Sequence, residues 1–249
     1  AYNDRLYFIG GSSTVGGSPL TSVYYTKINS TGTLNSWIQT NSFTNGRLSN
    51  GGNFAVVWGA HIYVSGGCAT INASGYCQTV RSDSQVASIN ADGSLDIWNT
   101  VGTVSDTRFG HGLFAWRNNI YEVGGCSTPD TATGNCTTTL SSINYGTVNQ
   151  DGDASTVGQS AASGTAPCSG TTPTNCNMPD TAVGDLLHAS IVANGYLYIF
   201  GGCTDFTCNP SSVVTGVAYA AISSTGQTSK PATCPNGTYQ NNIWCVQTT

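Results

Sequence analysis

Four short apolar runs along the chain end in a pair of glycines. They read LYFIGG at residues 6–11, IYVSGG at 62–67, IYEVGG at 120–125 and LYIFGG at 197–202. Their alternation suits strands buried on at least one face. A glycine pair lets the backbone turn and approach a neighbour that a Cβ would hold off. The pairs lie 56, 58 and 77 residues apart, a spacing that marks a repeat architecture.

A second signature follows each pair after a polar loop: YYTKINSTG ending at Gly32, VASINADG at Gly93, YGTVNQDG at Gly152 and AYAAISSTG at Gly226. The segments NSTG, NADG and NQDG predict hairpin turns in which glycine supplies a positive φ. Trp37 and Trp98 come five residues after their glycines and are expected to fill the wedge between adjacent sheets; Arg47 and Arg108 come ten residues later. One repeat therefore predicts four antiparallel strands: a leading strand, the Gly-Gly strand, the Ile-Asn strand and the Trp strand. The third repeat has Val157 in place of Trp and an insertion over 158–180, expected to be a surface excursion. The fourth lacks a Trp at that spacing, although Trp244 stands late in the chain. Residues 190–200 (SIVANGYLYIF) are too short to span a bilayer and predict two strands around a turn.

Composition narrows the class. Charged residues make up 8% of the chain, against about 25% in ordinary soluble domains. The net charge of −5 leaves no basic stripe for nucleic acid and none for an anionic membrane surface. No run is long enough for membrane insertion and none reads as a signal peptide, so a secreted protein would have its targeting segment removed or outside this chain.

The ten cysteines fall as close neighbours: Cys68 and Cys77, Cys126 and Cys136, Cys168 and Cys176, Cys203 and Cys208, Cys234 and Cys245. This pattern predicts five local disulfides and an oxidising, extracellular or cell-surface location. Short loops gain at most about 2–3 kcal/mol per bridge.

These residues together resemble the kelch repeat, whose blades carry an aromatic-rich strand closed by Gly-Gly and a spaced Trp. The resemblance covers nearly the whole chain. It implies an all-β, kelch-type β-propeller of four-stranded antiparallel blades, with about four repeats visible, at approximately 1–50, 51–110, 111–187 and 188–249. Residues 1–249 would form a single propeller domain or part of one. The first repeat lacks a leading strand, and residues 242–249 are a candidate to supply it beside residues 6–9. Three completions stand open: a closed four-blade ring, a segment of a larger protein, or completion by another copy.

Catalytic signals are sparse. His111 and His188 stand nine residues ahead of Ile120 and Leu197, a recurring position that reads as scaffold, or as imidazoles turned to a common channel. His61 falls in a turn and is expected to be exposed. Arg47 and Arg108 read as donors to backbone carbonyls between blades, or as an anion or sugar-acid site. Kelch relatives include a copper radical oxidase and a sialic-acid mutarotase. The first needs a cysteine that is not already paired and the second a ring of charges, and neither is evident here. Residues 90–93 and 151–153 lack the distal Glu of a calcium loop. No metal or other cofactor is therefore expected. Asn29, Asn72, Asn135 and Asn236 match the glycosylation pattern, and Asn72 and Asn135 are expected to be exposed.

The loops bridged by Cys68–Cys77, Cys126–Cys136 and Cys203–Cys208 leave equivalent strand ends and should crowd one face. Tyr76, Arg81 and Phe206 are candidate anchors there. The expected function is an extracellular binding or structural module for glycan or protein, with self-assembly as one form. The alternative is a secreted carbohydrate-active enzyme using Arg47, Arg108, His111 and His188.

Overall fold

The computed structural model describes residues 1–49, 54–103, 107–149, 151–152, 158–159, 186–206, 208–222, 228–229, 233–234, 239–241 and 244–247. The described chain is all β, without a helix. The first sheet holds β1 (Arg5–Ile9), β2 (Val23–Lys27) and β3 (Ile38–Thr40). The second runs β4 (Ala55–Trp58), β5 (His61–Ser65), β8 (Asp83–Ser88) and β9 (Asn99–Thr103), with the hairpin β6 (Cys68–Ile71) and β7 (Cys77–Val80) inserted after β5. The third repeats this plan: β10 (Gly112–Trp116), β11 (Asn119–Val123), β14 (Ile143–Thr147) and β15 (Gly158–Gln159), with the hairpin β12 (Cys126–Pro129) and β13 (Cys136–Thr139). The fourth holds β16 (Ala189–Ala193), β17 (Tyr196–Phe200), β18 (Val217–Ile222), β19 (Thr228–Ser229), β20 (Tyr239–Asn241) and β21 (Trp244–Gln247). All pairings are antiparallel.

The four-strand unit predicted from the repeat is thus present in the second and third sheets. The N-x-x-G turns form as expected, with Gly32, Gly93 and Gly152 at φ of 82°, 93° and 86°. Both members of every Gly-Gly pair have positive φ, for example 62° and 103° at Gly124 and Gly125. A Cβ on Gly125 would lie 2.8 Å from His111 Cβ and 2.9 Å from the Phe109 carbonyl oxygen. Two glycines in succession are therefore required by conformation and by space.

Apolar clusters sit between consecutive sheets. Val23 and Phe43 meet Ile62, Val64 and Trp98; Tyr63 and Val86 meet Leu113 and Ile120; Tyr121 and Val123 meet Leu197 and Ile199. Trp98 fills its wedge and stands edge-on to Phe43 at 5.6 Å. Trp37, expected to do the same, is 46% exposed, because no sheet packs against its face of the first sheet among the described residues. Trp244 is fully buried between the third and fourth sheets.

The candidate closing segment goes elsewhere. Strand β21 pairs with β18 inside the fourth sheet, through Val217↔Gln247 and Tyr219↔Cys245, not with β1. The first two residues of the expected surface excursion, Gly158 and Gln159, instead form β15 and pair with β14 through Tyr145↔Gly158 and Asn144↔Gln159, because they supply the outer strand of the third sheet; residues 160–180 with the Cys168–Cys176 bridge, Val157 and Asn236 lie outside the described residues. The other four bridges form: Cys68–Cys77, Cys126–Cys136, Cys203–Cys208 and Cys234–Cys245.

Candidate functional site

The recurring arginines are fully buried. Arg47 Nη1 donates to the carbonyls of Gly66 (2.8 Å) and Asp83 (3.1 Å), and its Nη2 pairs with Asp83 Oδ2 at 2.7 Å. Arg108 repeats the pattern, with Nη1 donating to Gly124 O at 2.8 Å and Nη2 to Ser142 Oγ at 3.2 Å. The side chain thus holds the glycine turn of its own sheet. Its backbone carbonyl accepts from the preceding sheet: Gly11 N reaches Arg47 O at 3.3 Å, and Gly67 N reaches Arg108 O at 2.7 Å. The expected carbonyl bonding holds, but the link between sheets runs through the arginine backbone.

A buried guanidinium needs a carboxylate. In the second sheet Asp83 supplies it. Burial pushes the Asp83 carboxyl up, but the Arg47 charge and hydrogen bonds from Asn45 and Gln85 outweigh this and hold it below its ordinary value. In the third sheet Ser142 occupies the position of Asp83, and Glu122 on β11 takes over, with Oε2 at 3.5 Å from Arg108 Nε. Glu122 Oε1 also accepts from Ser65 Oγ of the second sheet, and Ser65 pairs with Ser84 at 2.7 Å. The other repeats place Phe8, Val64 and Ile199 at the Glu122 position.

The tyrosines of the first two Gly-Gly strands tie their sheets to the next. Tyr7 donates to Gly93 O at 2.9 Å and Tyr63 to Gly152 O at 2.6 Å. Burial raises the Tyr7 phenol to about 12. The recurrence of Tyr with an N-x-x-G turn in the first three repeats carried this signal, but sequence spacing does not reveal which turn each tyrosine meets.

His111 is buried, with neither ring nitrogen bonded among the described residues. Burial, followed by the charges of Arg108, His188 and Arg47, drives its pKa well below the ordinary value, so the ring is neutral. The unfolded chain takes up this proton near pH 6.5 while the folded chain does not. Stability is therefore expected to be retained above about pH 6.5 and to fall below it, by up to about 1.4 kcal/mol per pH unit. His111→Leu should flatten that slope in denaturation series at pH 7.5 and 5.5; an unchanged slope would contradict the assignment. His188 is also buried. His61, expected to be exposed in a turn, is the half-buried first residue of β5 and abuts Gly152.

The bridged hairpins form one surface. Asn72 Nδ2 on the Cys68–Cys77 loop and Gln78 Nε2 on β7, just after it, both donate to Thr131 O of the Cys126–Cys136 loop, each at 3.1 Å. The Tyr76 ring covers Gly134, where a Cβ would come within 2.3 Å of it. Gly16 of the first sheet's loop packs on the Ala73 backbone. Of the three candidate anchors, Tyr76 is exposed. Arg81 is half-buried and donates to Gly46 O, and Phe206 is half-buried and stacked on Phe109 at 4.8 Å. Asn72 and Asn135 are half-buried rather than exposed. The Asn72 amide is committed on both sides, since its Oδ1 accepts from Ser74 N and Tyr76 N.

A groove of about 590 Å³ opens where β4, β10 and β16 converge on β1. Phe54, Val57, Leu113 and Ile191 are among its walls, and Ser49 and Ser190 are its polar side chains besides Tyr7. Among the described residues, no carboxylate, imidazole or guanidinium side chain lines it.

No family model matches this chain, and no curated protein matches it. Among solved structures, one titled "Structure of YjhT" aligns with 92% of this chain at a TM-score of 0.59 and 12% identity, and the alignment spans 66% of that chain. The likeness shows the fold: the chain is all β, with several antiparallel sheets in a propeller-like arrangement. Its disulfides are of the kind typical of extracellular proteins. No described helix is long and apolar enough to cross a membrane.

Proposed function

We infer that the protein is an extracellular, kelch-type binding module that recognises a glycan or protein at a cell surface through its bridged loops. The observation that carries this reading is the joining of two disulfide-pinned hairpins through Thr131, with Tyr76 presented at the seam. Loops held in place lose little entropy on engaging a partner. The catalytic alternative has less support, because Arg47, Arg108, His111 and His188 are buried and none lines the groove.

A glycan array and a pull-down on intact cells test the reading. Retention is expected in at least one, and Tyr76→Ala is expected to weaken it about tenfold or more with little change in thermal midpoint. Blank results in both assays would overturn it.

A further inference from the structure

One cation of the loop face has no counterpart in the other repeats. In every sheet a later residue donates its amide to the carbonyl of the second glycine of the Gly-Gly pair. Leu20 reaches Gly11 O at 2.8 Å, Arg81 reaches Gly67 O at 2.8 Å, Leu140 reaches Gly125 O at 2.8 Å and Val214 reaches Gly202 O at 2.9 Å. Three sheets fill this position with an aliphatic side chain, so the fold itself requires no charge there. Both side-chain hydrogen bonds of Arg81 go to one carbonyl, Gly46 O, from Nε at 3.3 Å and Nη2 at 3.2 Å. The guanidinium is thereby held by one edge. Nη1 and the second Nη2 hydrogen, its end-on pair of donors, have no partner among the described residues.

No carboxylate pairs with Arg81 among the described residues. Asp83, two residues further on, is taken by Arg47, Asn45 and Gln85. Arg81 stands in a cleft of about 270 Å³ between the β1–β2 connection and β6. Ser18 and Thr70 bring exposed hydroxyls to it, Pro19 and Ile71 bring carbon surface, and Gly16 adds no side chain. Thr70 Oγ1 shares one hydrogen with Thr79 Oγ1 at 2.7 Å, which leaves one hydroxyl hydrogen of that pair to give. The cleft is thus a fixed positive point on a chain with 12 carboxylate side chains against 7 lysines and arginines.

We propose that this cleft binds a uronic acid residue of an acidic polysaccharide, with Arg81 gripping the carboxylate. The inference rests on the reading of the loop face as a binding surface and names the ligand class for it. The free end of a guanidinium presents two parallel N–H donors at the spacing of carboxylate oxygens. Because Gly46 O already fixes the other edge, little side-chain freedom is lost on binding. The hydroxyls of Ser18 and Thr70 match those of a sugar ring, and the carbon surface of Pro19 and Ile71 matches its C–H face. The volume is at the small end of ligand clefts, and the exposure of Ser18 and Thr70 leaves a side open along which a polysaccharide runs on. An acidic peptide offers the same carboxylate but no ring hydroxyls for Ser18 and Thr70.

Oligomers of glucuronate, galacturonate and mannuronate, each beside its methyl ester, are titrated into the protein while its amide signals are followed by NMR, with a glutamate-rich peptide as the competing class. At least one uronate is expected to shift the amides of Ser18 and Thr70, and its ester to bind about tenfold or more weakly. Arg81→Leu, which installs the residue type of the third sheet, is expected to weaken the acid about tenfold or more at an unchanged thermal midpoint. Arg81→Lys keeps the charge but not the fork and should weaken it less. If Arg81→Leu does not fold, the amide map and the acid–ester comparison on the unsubstituted protein decide alone. The proposal is overturned if no uronate binds, if acid and ester bind alike, if the shifted amides lie elsewhere, or if the peptide binds as tightly. Retention on the array or on cells that Tyr76→Ala lowers and Arg81→Leu leaves unchanged would remove this site and spare the loop-face reading. Uronate binding that Arg81→Leu abolishes, with the array and the cells both blank, would do the reverse.

Discussion

Arg108→Leu is expected to destabilise the protein by about 3–5 kcal/mol, the range for breaking a buried ion pair by removing one partner. The substitution strands the fully buried Glu122 carboxylate and removes the donor to Gly124 O. Glu122→Val alone should cost less, because the guanidinium keeps Gly124 O and Ser142 as partners. The double variant is expected to recover much of the loss from Arg108→Leu, since it puts an apolar residue where the other sheets carry Val64 and Ile199. Urea denaturation of the four proteins measures the coupling. Additive losses would show that the pair does not act as a unit.

Trp244→Ala is expected to cost about 3–5 kcal/mol, as for other large side chains lost from a packed core. Trp244 is wholly buried in the apolar cluster that also holds Leu197 and Ala218 of its own sheet and Tyr121 and Val123 of the third. Trp37→Ala is the matched control: its side chain is half in solvent, and a loss under about 1 kcal/mol is expected. Thermal or urea unfolding of both variants checks the contrast. Similar losses would mean that residues 244–247 are not the core strand described here.

The contrast between these tryptophans shows what was legible in the sequence. Gly-Gly strands, N-x-x-G turns and four neighbouring cysteine pairs depend on local geometry, so their recurrence predicted them. The burial of Trp37 depends on whether another sheet lies against it, which its own repeat does not encode. Strand β21 joins β18 through pairing that the repeat pattern did not specify, and residues 242–249 were accordingly expected at the wrong sheet. The roles of Arg47 and Arg108 as carbonyl donors were readable because five fixed donors in a buried turn have few other uses. Glu122 went unnoticed, since a single carboxylate in an apolar strand has meaning only beside Arg108 and Ser65. On the loop face, the crowding of bridged hairpins was predictable, whereas the half-burial of Arg81 and Phe206 was set by contacts with Gly46 and Phe109.

The four bridges enclose sequence spans of 9, 10, 5 and 11 residues. Pulled from its two ends, such a molecule would bear load on hydrogen-bonded strands rather than on sulfur. Each sheet could peel open to nearly its full contour length with every disulfide intact. A reductant would then lengthen the stretched chain only slightly while freeing the loops, so mechanical strength and loop order would respond separately to redox conditions.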